Sequence, residues 1–270
     1  MRINTNLNAM IATNQMSKNT ALAGSSMEKL STGLRITKAG DDAAGLAVSE
    51  KMRAQIRGME QAERNVQDGI SMVQTAEGAL EEAGNIAQRM RELGVQAGND
   101  TLSAEDRTKV KEELKQLQDE MKKISEETKF NGKQLLNTAG TFTIQAGANS
   151  ETRTITTADL SGIANNLSLT STNISNASEA QSFVKKVDVA LESINAARSA
   201  LGSMQNRLEY TANNLTTSTE NLTAAESRIR DVDVAKEMVT LSKLNILNQA
   251  SQAMVSQAKQ QPESVSQLLR

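Results

Sequence analysis

Residues 187–229, VDVALESINAARSALGSMQNRLEYTANNLTTSTENLTAAESRI, carry a large aliphatic side chain at every seventh position: Val187, Ile194, Leu201, Leu208, Leu215, Leu222 and Ile229. Ala190, Ala197, Met204 and Ala225 follow three residues after some of them. A strict repeat of seven over this length implies helices wound left-handedly on one another, because every seventh side chain returns to nearly the same stripe. A second stretch repeats the pattern. Met52, Met59, Val66, Val73, Leu80 and Ala87 recur at seven, with Ala62, Gly69, Ala76 and Ala83 three residues on, small enough to let backbones approach. Helices over 51–95 and 178–230 would be roughly 68 Å and 80 Å long at 1.5 Å per residue. Ser178 with Gln181 resembles a capping box opening the second.

Composition supports thin, helical packing. The chain of 270 residues has three Phe, one Tyr, no Trp and a single proline, Pro262. A thick globular core normally uses aromatic side chains, which bury the most area each. Almost nothing interrupts helix formation before Pro262. The expected fold class is mainly α: an elongated antiparallel helical bundle or coiled coil with a small β-hairpin region, plus a terminal two-helix coiled coil.

Between the long helices, Val110, Leu114, Leu117, Met121, Ile124 and Thr128 step 4-3-4-3-4, predicting a shorter amphipathic helix with Ser103 as its N-cap and Asp106 three residues on. Beyond it, "FNG" is a turn, and "TFTIQ" and "TRTITT" alternate as half-buried strands joined by "AGANSE". Residues 161–177, rich in Ser, Thr and Asn with Ile163, Leu167 and Leu169, read as a packed loop. A flexible linker is the alternative for this middle region. "GDDAAG", residues 40–45, reads as a helix start with acids at the positive end of the dipole, since it lacks the further oxygen ligands of a calcium loop.

The two ends differ from the rest. The first helix candidate has Ile3, Leu7, Met10 and Ile11 on one side, then Asn14 and Ser17; up to Ser26 its charged side chains are Arg2 and Lys18. The last, from about Val234, contains LNILNQASQAMVSQAKQQ, residues 244–261, with Leu244, Leu247, Ser251, Met254 and Ala258 on a 3-4-3-4 stripe and Lys259 as its one charge. Solvated helix faces normally carry Lys and Glu. Paired only with each other, these helices bury too little apolar area to offset about 1–2 kcal/mol of backbone entropy per residue. Their expected partners are therefore other copies of the chain, against which Gln, Asn and Ser can be buried if hydrogen-bonded.

The absence of His and Cys excludes Ser-His-Asp and Cys-His chemistry and His/Cys zinc sites. No enzymatic function, cofactor or metal is expected. Net charge is −2 with the signs interspersed, so there is no electrostatic footprint for nucleic acid. No apolar run approaches a membrane span. The N-terminus lacks the apolar region of a cleavable secretory signal, which by itself argues for a cytosolic protein.

The phrases themselves resemble a known family. "MRINTN", "EKLSTGLRITKAGDDAAGLAVSEKMRAQIRG", "NVQDGISMVQTAEGAL" and "QRMRELGVQAGND", then "FNGKQLL", "FTIQAGAN", "LGSMQNRLEYTANNL", "ENLTAAESRIRDVDVAKEM" and "ILNQASQAMVSQAKQQPESVSQLL", resemble bacterial flagellin in order along nearly the whole chain. The middle of the sequence departs from the family pattern in lacking the outer variable domains of many flagellins, which argues against any role tied to such inserts. The resemblance implies a structural subunit that self-assembles as a homopolymer into the flagellar filament, the propeller of a swimming bacterium. Residues 1–44 with 231–270 would be the inner layer and 45–230 the rod, with the hairpin and packed loop at about 131–177. Ile3, Leu7, Met10, Ile11, Leu244, Leu247, Met254, Val255 and Ala258 would pack subunits together. Leu244, Leu247, Met254 and Val255 would also meet an export chaperone.

The same resemblance implies passage, unfolded and without a cleaved signal, through the flagellar export apparatus to an extracellular location. Filament cap and junction proteins would be partners there, and Arg89, Leu93 and Glu113 would contact an animal Toll-like receptor. Gly94 departs from the small aliphatic residue usual after that Leu. The alternatives are a hook–filament junction protein and a cytosolic coiled-coil adaptor.

Overall fold

In the two longest helices the positions of the repeat are the ones withdrawn from water. The computed structural model describes residues 6–167, 174 and 176–268, and for 261–268 only the backbone. Its helices are α1 (Leu7–Thr32), α2 (Ala43–Ala97), α3 (Ala104–Glu127), α4 (Leu160–Asn166), α5 (Ala177–Arg230) and α6 (Val234–Leu268). Four short strands, β1 (Lys129–Phe130), β2 (Lys133–Gln134), β3 (Thr141–Gln145) and β4 (Thr152–Thr156), lie between α3 and α4. The chain is mainly α, as its composition requires. It divides into two compact units, one of residues up to Ala54 with those from Asn221 onward, the other Gln55–Glu220.

In the Gln55–Glu220 unit, Met59, Ala62, Val66, Val73, Ala76, Leu80, Ala83 and Ala87 of α2 are buried, as are Val187, Ile194, Leu201, Leu208 and Leu215 of α5. The two helices run antiparallel. Arg91 Nε donates to Asp188 Oδ1 at 2.7 Å, and Thr216 Oγ1 donates to Glu63 Oε1 at 3.3 Å at the other end. Gly94 is a place of close approach, since a Cβ there would lie 2.9 Å from Val184 Cγ2 and 3.1 Å from the Phe183 ring. α3 starts at the expected cap: the Ser103 hydroxyl accepts from the Asp106 amide and donates to Asp106 Oδ2 at 2.7 Å. That hydrogen bond from Ser103 holds the Asp106 carboxyl below the usual carboxylate range. The buried face of α3 is Val110, Leu114, Gln118, Met121 and Ser125. It is rotated from the expected stripe, with Gln118 buried because its amide donates to Ala164 O at 3.2 Å.

The hairpin forms as read, with β3 and β4 antiparallel and Phe142 opposite Ile155. A second, minimal hairpin, β1–β2, turns through Asn131 and Gly132 at φ 49° and 78°, the double positive φ of a type I′ turn. Two expectations are corrected. Residues 160–166 are not loop but α4, capped by Asp159 Oδ1 accepting from Gly162 N at 2.7 Å and held by buried Leu160 and Ala164. The rest of that stretch to 175, Leu169 included and Leu167 and Ile174 excepted, lies outside the described residues. Helix α5 begins at Ala177, so Ser178 sits within the first turn and is not its cap.

In the other unit, α1 and α6 pack as an antiparallel pair. Asn6 Nδ2 donates to Ala258 O at 2.6 Å at one end, and Leu34 bridges Asp231 at the other. Gly33, at φ 72°, ends α1 in the left-handed conformation that only glycine adopts freely. The "GDD" acids divide the work at the start of α2. Asp42 caps the helix through Gly45 N, and Asp41 accepts from Thr37 and Lys38 to close the preceding turn. Those backbone bonds, that from Thr37 first, hold the Asp41 carboxyl below the usual range. Arg230 is buried and pairs with Glu50, and Arg53 pairs with Glu226 at 3.1 Å.

Two glycines of α2 separate space from propensity. A Cβ at Gly58 would lie 2.8 Å from Ala148 Cβ and 3.1 Å from its Cα, whereas nothing lies within 4 Å at Gly78. Gly78→Ala is expected to stabilise the fold by about 0.5–1 kcal/mol. Gly58→Ala is expected to lose that gain and more by pushing the 146–151 loop away. Urea midpoints followed by circular dichroism distinguish the two.

Candidate subunit-packing surface

Helices α1 and α6 meet along one 3-4 pattern each, which on α1 is mostly of small residues. On α1 the sheltered positions are Ala9, Ala12, Met16, Asn19, Ala23 and Ser26, with Asn19 and Ser26 the buried ones. On α6 they are Leu241, Leu244, Asn248, Ser251, Val255 and Ala258. Both sets repeat 3-4-3-4-3, the spacing of a coiled-coil seam. Beside Met16, Leu241, Leu244 and Val255, the side chains at these positions are Ala, Ser and Asn. Asn19 accepts a long 3.4 Å bond from Gln15, and the Asn248 side-chain oxygen is buried with no partner. No described ion pair joins α1 to α6; the nearest, Lys38 to Glu28, lies at the end of α1.

The large apolar residues point the other way. Leu7, Met10, Ile11, Leu22 and Met27 of α1 are exposed, and so are Met238, Val239, Ile246, Leu247 and Met254 of α6. Leu7 at 63%, Ile246 at 66% and Met254 at 65% keep most of their surface in water. Burying such a side chain stabilises by about 1.5–3 kcal/mol, so each one left in water forgoes that much. By contrast, exposed large apolar side chains between Gln55 and Glu220 are, among the described residues, Val95, Val189 and Tyr210.

The expected packing residues are thus divided between two faces. Leu244 and Ala258 are buried in the seam and Val255 is half-buried there, while Leu7, Met10, Ile11, Leu247 and Met254 face out. Ile3 lies outside the described residues. Along one flank of the pair runs a groove of about 520 Å³, with Ile11, Leu247 and Met254 on its walls and Asn8, Gln15 and Gln257 among its polar members. Its chemistry suits a helix with apolar ridges and amide edges, and no charged side chain lines it.

The other expected cluster lies on α2 and α3. Arg89 Nη2 donates to Glu113 Oε1 at 3.0 Å and Nη1 to Glu92 Oε2 at 3.1 Å, all with half-open side chains. Leu93 is 2% exposed and belongs to the core beneath them. Among the described residues no helix is long and apolar enough to cross a membrane.

Residues 3–141 match the family model of the bacterial flagellin N-terminal helical region, and residues 184–269 match that of the bacterial flagellin C-terminal helical region. A flagellin of Halalkalibacterium halodurans is 53% identical over 274 residues that span the whole of both chains. The flagellar filament 33 kDa core protein of Treponema phagedenis is 45% identical over 286 residues, again across the whole of both. Among solved structures, Bacillus cereus flagellin is similar at a TM-score of 0.52 and 35% identity, over 60% of this chain and 94% of that one.

The polar seam has a measurable consequence. Asn248→Leu removes an unpartnered buried oxygen and adds apolar area between α1 and α6. It is expected to raise the far-ultraviolet helix signal of dilute monomer. Ile246→Ala, at a position 66% exposed, is expected to leave that signal unchanged.

Proposed function

The chain belongs to the bacterial flagellin family, and on that premise we propose that it is a structural subunit which polymerises through the outward faces of α1 and α6 into an extracellular flagellar filament. The family is one of structural proteins, not enzymes. The observation that carries the reading is on the terminal helices: Ala, Ser and Asn make up much of the inner seam, while the large apolar Leu7, Ile11, Ile246 and Met254 stand outside. A lone molecule has no use for that arrangement, whereas a polymer covers the outer residues with neighbouring copies. Residues 1–44 with 231–270 form the inner layer and 45–230 the rod in this reading. The packing set is Ile3, Leu7, Met10, Ile11, Leu247 and Met254 between copies, with Leu244, Val255 and Ala258 inside each copy.

Further roles follow from family membership. The subunit leaves the cell unfolded through the flagellar export apparatus, without a cleaved signal, and the filament it builds drives swimming. An export chaperone covers Leu244, Leu247, Met254 and Val255 beforehand; the outward position of Leu247 and Met254 supports this, while Leu244 and Val255 become available only when α1 is away. Cap and junction proteins meet the same terminal helices at the filament ends. The Arg89–Glu113 pair, with Leu93 beneath, is the patch an animal Toll-like receptor reads; the openness of both charged side chains supports it.

Deleting residues 1–32 or 234–270 is expected to abolish polymerisation while leaving the melting of the Gln55–Glu220 unit within a few degrees of the intact chain. Sedimentation and negative-stain microscopy read the first effect, calorimetry the second. Either truncated chain forming normal filaments contradicts the reading, and short collars from the intact chain would favour a hook–filament junction protein.

A further inference from the structure

Aromatic side chains are scarce in this protein, and three of its four sit at two surface features of the Gln55–Glu220 unit. Phe183 is buried in the core. Phe130 and Phe142, both half-buried, line a recess of about 340 Å³ between α2 and the two hairpins, with Met72 and Ile144 completing its apolar wall. Ile144 reaches deep there because α2 has Gly69 at that point: a Cβ on it would lie 2.1 Å from Ile144 Cδ1. Tyr210, the single tyrosine, stands 75% exposed on α5 and does not line the recess.

The rims of these two features carry opposite charges. Asp68 and Lys133 border the recess. Arg207 and Glu209 precede Tyr210 by three residues and by one. All four are exposed, and none takes part in an ion pair among the described residues. The two features also share a level of the α2–α5 pair: Leu208 Cδ1 comes within 3.7 Å of a Cβ built on Gly69. A neighbour lying alongside with little axial shift therefore brings its Tyr210 to this height.

We propose that Tyr210 of one copy seats in the Phe130–Phe142 recess of the next, with Arg207 against Asp68 and Glu209 against Lys133. The occupant is a second copy because the anchor, the recess and both complementary charge pairs belong to the same chain. A tyrosine filling an apolar recess inside a polar rim is the usual form of an interface hot spot, and flanking charges fix its register. The contact is heterologous, a knob on one copy in a hole on the next, so it can repeat from copy to copy, and with a rise along the axis it builds an open helical array. This inference rests on the self-assembly reading above and adds a specific contact outside the terminal helices.

The full-length chain contains no tryptophan, so its tyrosine fluorescence reports on Tyr210 alone. In dilute monomer, acrylamide is expected to quench it nearly as well as it quenches N-acetyltyrosinamide. In the polymer the quenching constant is expected to fall at least about fivefold. Tyr210→Ser is expected to raise the critical concentration for polymerisation at least about tenfold, and Tyr210→Phe to change it little, with monomer circular dichroism unaltered in both. Arg207→Glu and Asp68→Arg each raise it, and the double variant returns toward wild type.

Filaments in which Tyr210 stays as quenchable as in monomer overturn this contact and leave self-assembly standing. Protection without rescue by the double variant means another surface covers Tyr210, which also overturns it. A wild-type chain that never polymerises removes the self-assembly reading and this inference with it.

Discussion

The side chains that matter most are the ones left in water. Leu7, Ile11, Ile246 and Met254 stand open on two helices whose mutual seam mixes Met16, Leu241, Leu244 and Val255 with alanine, serine and asparagine. Exchanging those roles would give a stable hairpin, because each buried Leu, Ile or Met contributes about 1.5–3 kcal/mol. On the reading proposed above, the large outward residues are kept for contacts between copies. On that reading, folding of the ends and association of the chains are coupled, as in segments whose ordering entropy is met only on binding.

The Gln55–Glu220 unit follows the opposite rule. Its repeat positions are used internally, from Met59 to Ala97 on α2 and from Ala180 to Leu215 on α5. Its charges are interleaved between helices, with Arg91 on Asp188, Arg198 near Glu77 and Glu81, and Arg89 on Glu113. Such exposed pairs contribute little each, but they mark faces that stay solvated. The terminal helices have almost none. One chain thus combines a part whose large apolar side chains are mostly covered from within with a part whose large apolar side chains stand open, a division that suits the filament subunit proposed above.

Much of this was legible in the sequence, for identifiable reasons. Seven aliphatic residues at intervals of seven leave α5 no other conformation, and Ser103 followed by Asp106 states the start of α3 in side-chain chemistry alone. The β3–β4 hairpin was readable from its alternation. Helix α4 was not, because Leu-Ser-Gly-Ile-Ala-Asn-Asn has weak helix propensity and is held by its cap and by buried Leu160 and Ala164. The candidate surface was half legible. Leu7, Met10, Ile11, Leu247 and Met254 stood out as apolar residues on charge-poor helices, but periodicity put Leu244, Val255 and Ala258 in the same set, although they lie in the seam between α1 and α6. Only packing reveals which side chains meet. The Phe130–Phe142 recess had no sequence cue, since α2 and both hairpins contribute to it.

Amide hydrogen exchange, resolved by peptide and compared between dilute monomer and polymer, tests the coupling most directly. The account predicts that amides of residues 7–32 and 234–260 exchange at least about a hundredfold faster in monomer than those of residues 59–97. On polymerisation they should slow to the rate of that core, while residues 59–97 change little. Terminal helices already as protected in dilute monomer as residues 59–97 would contradict it.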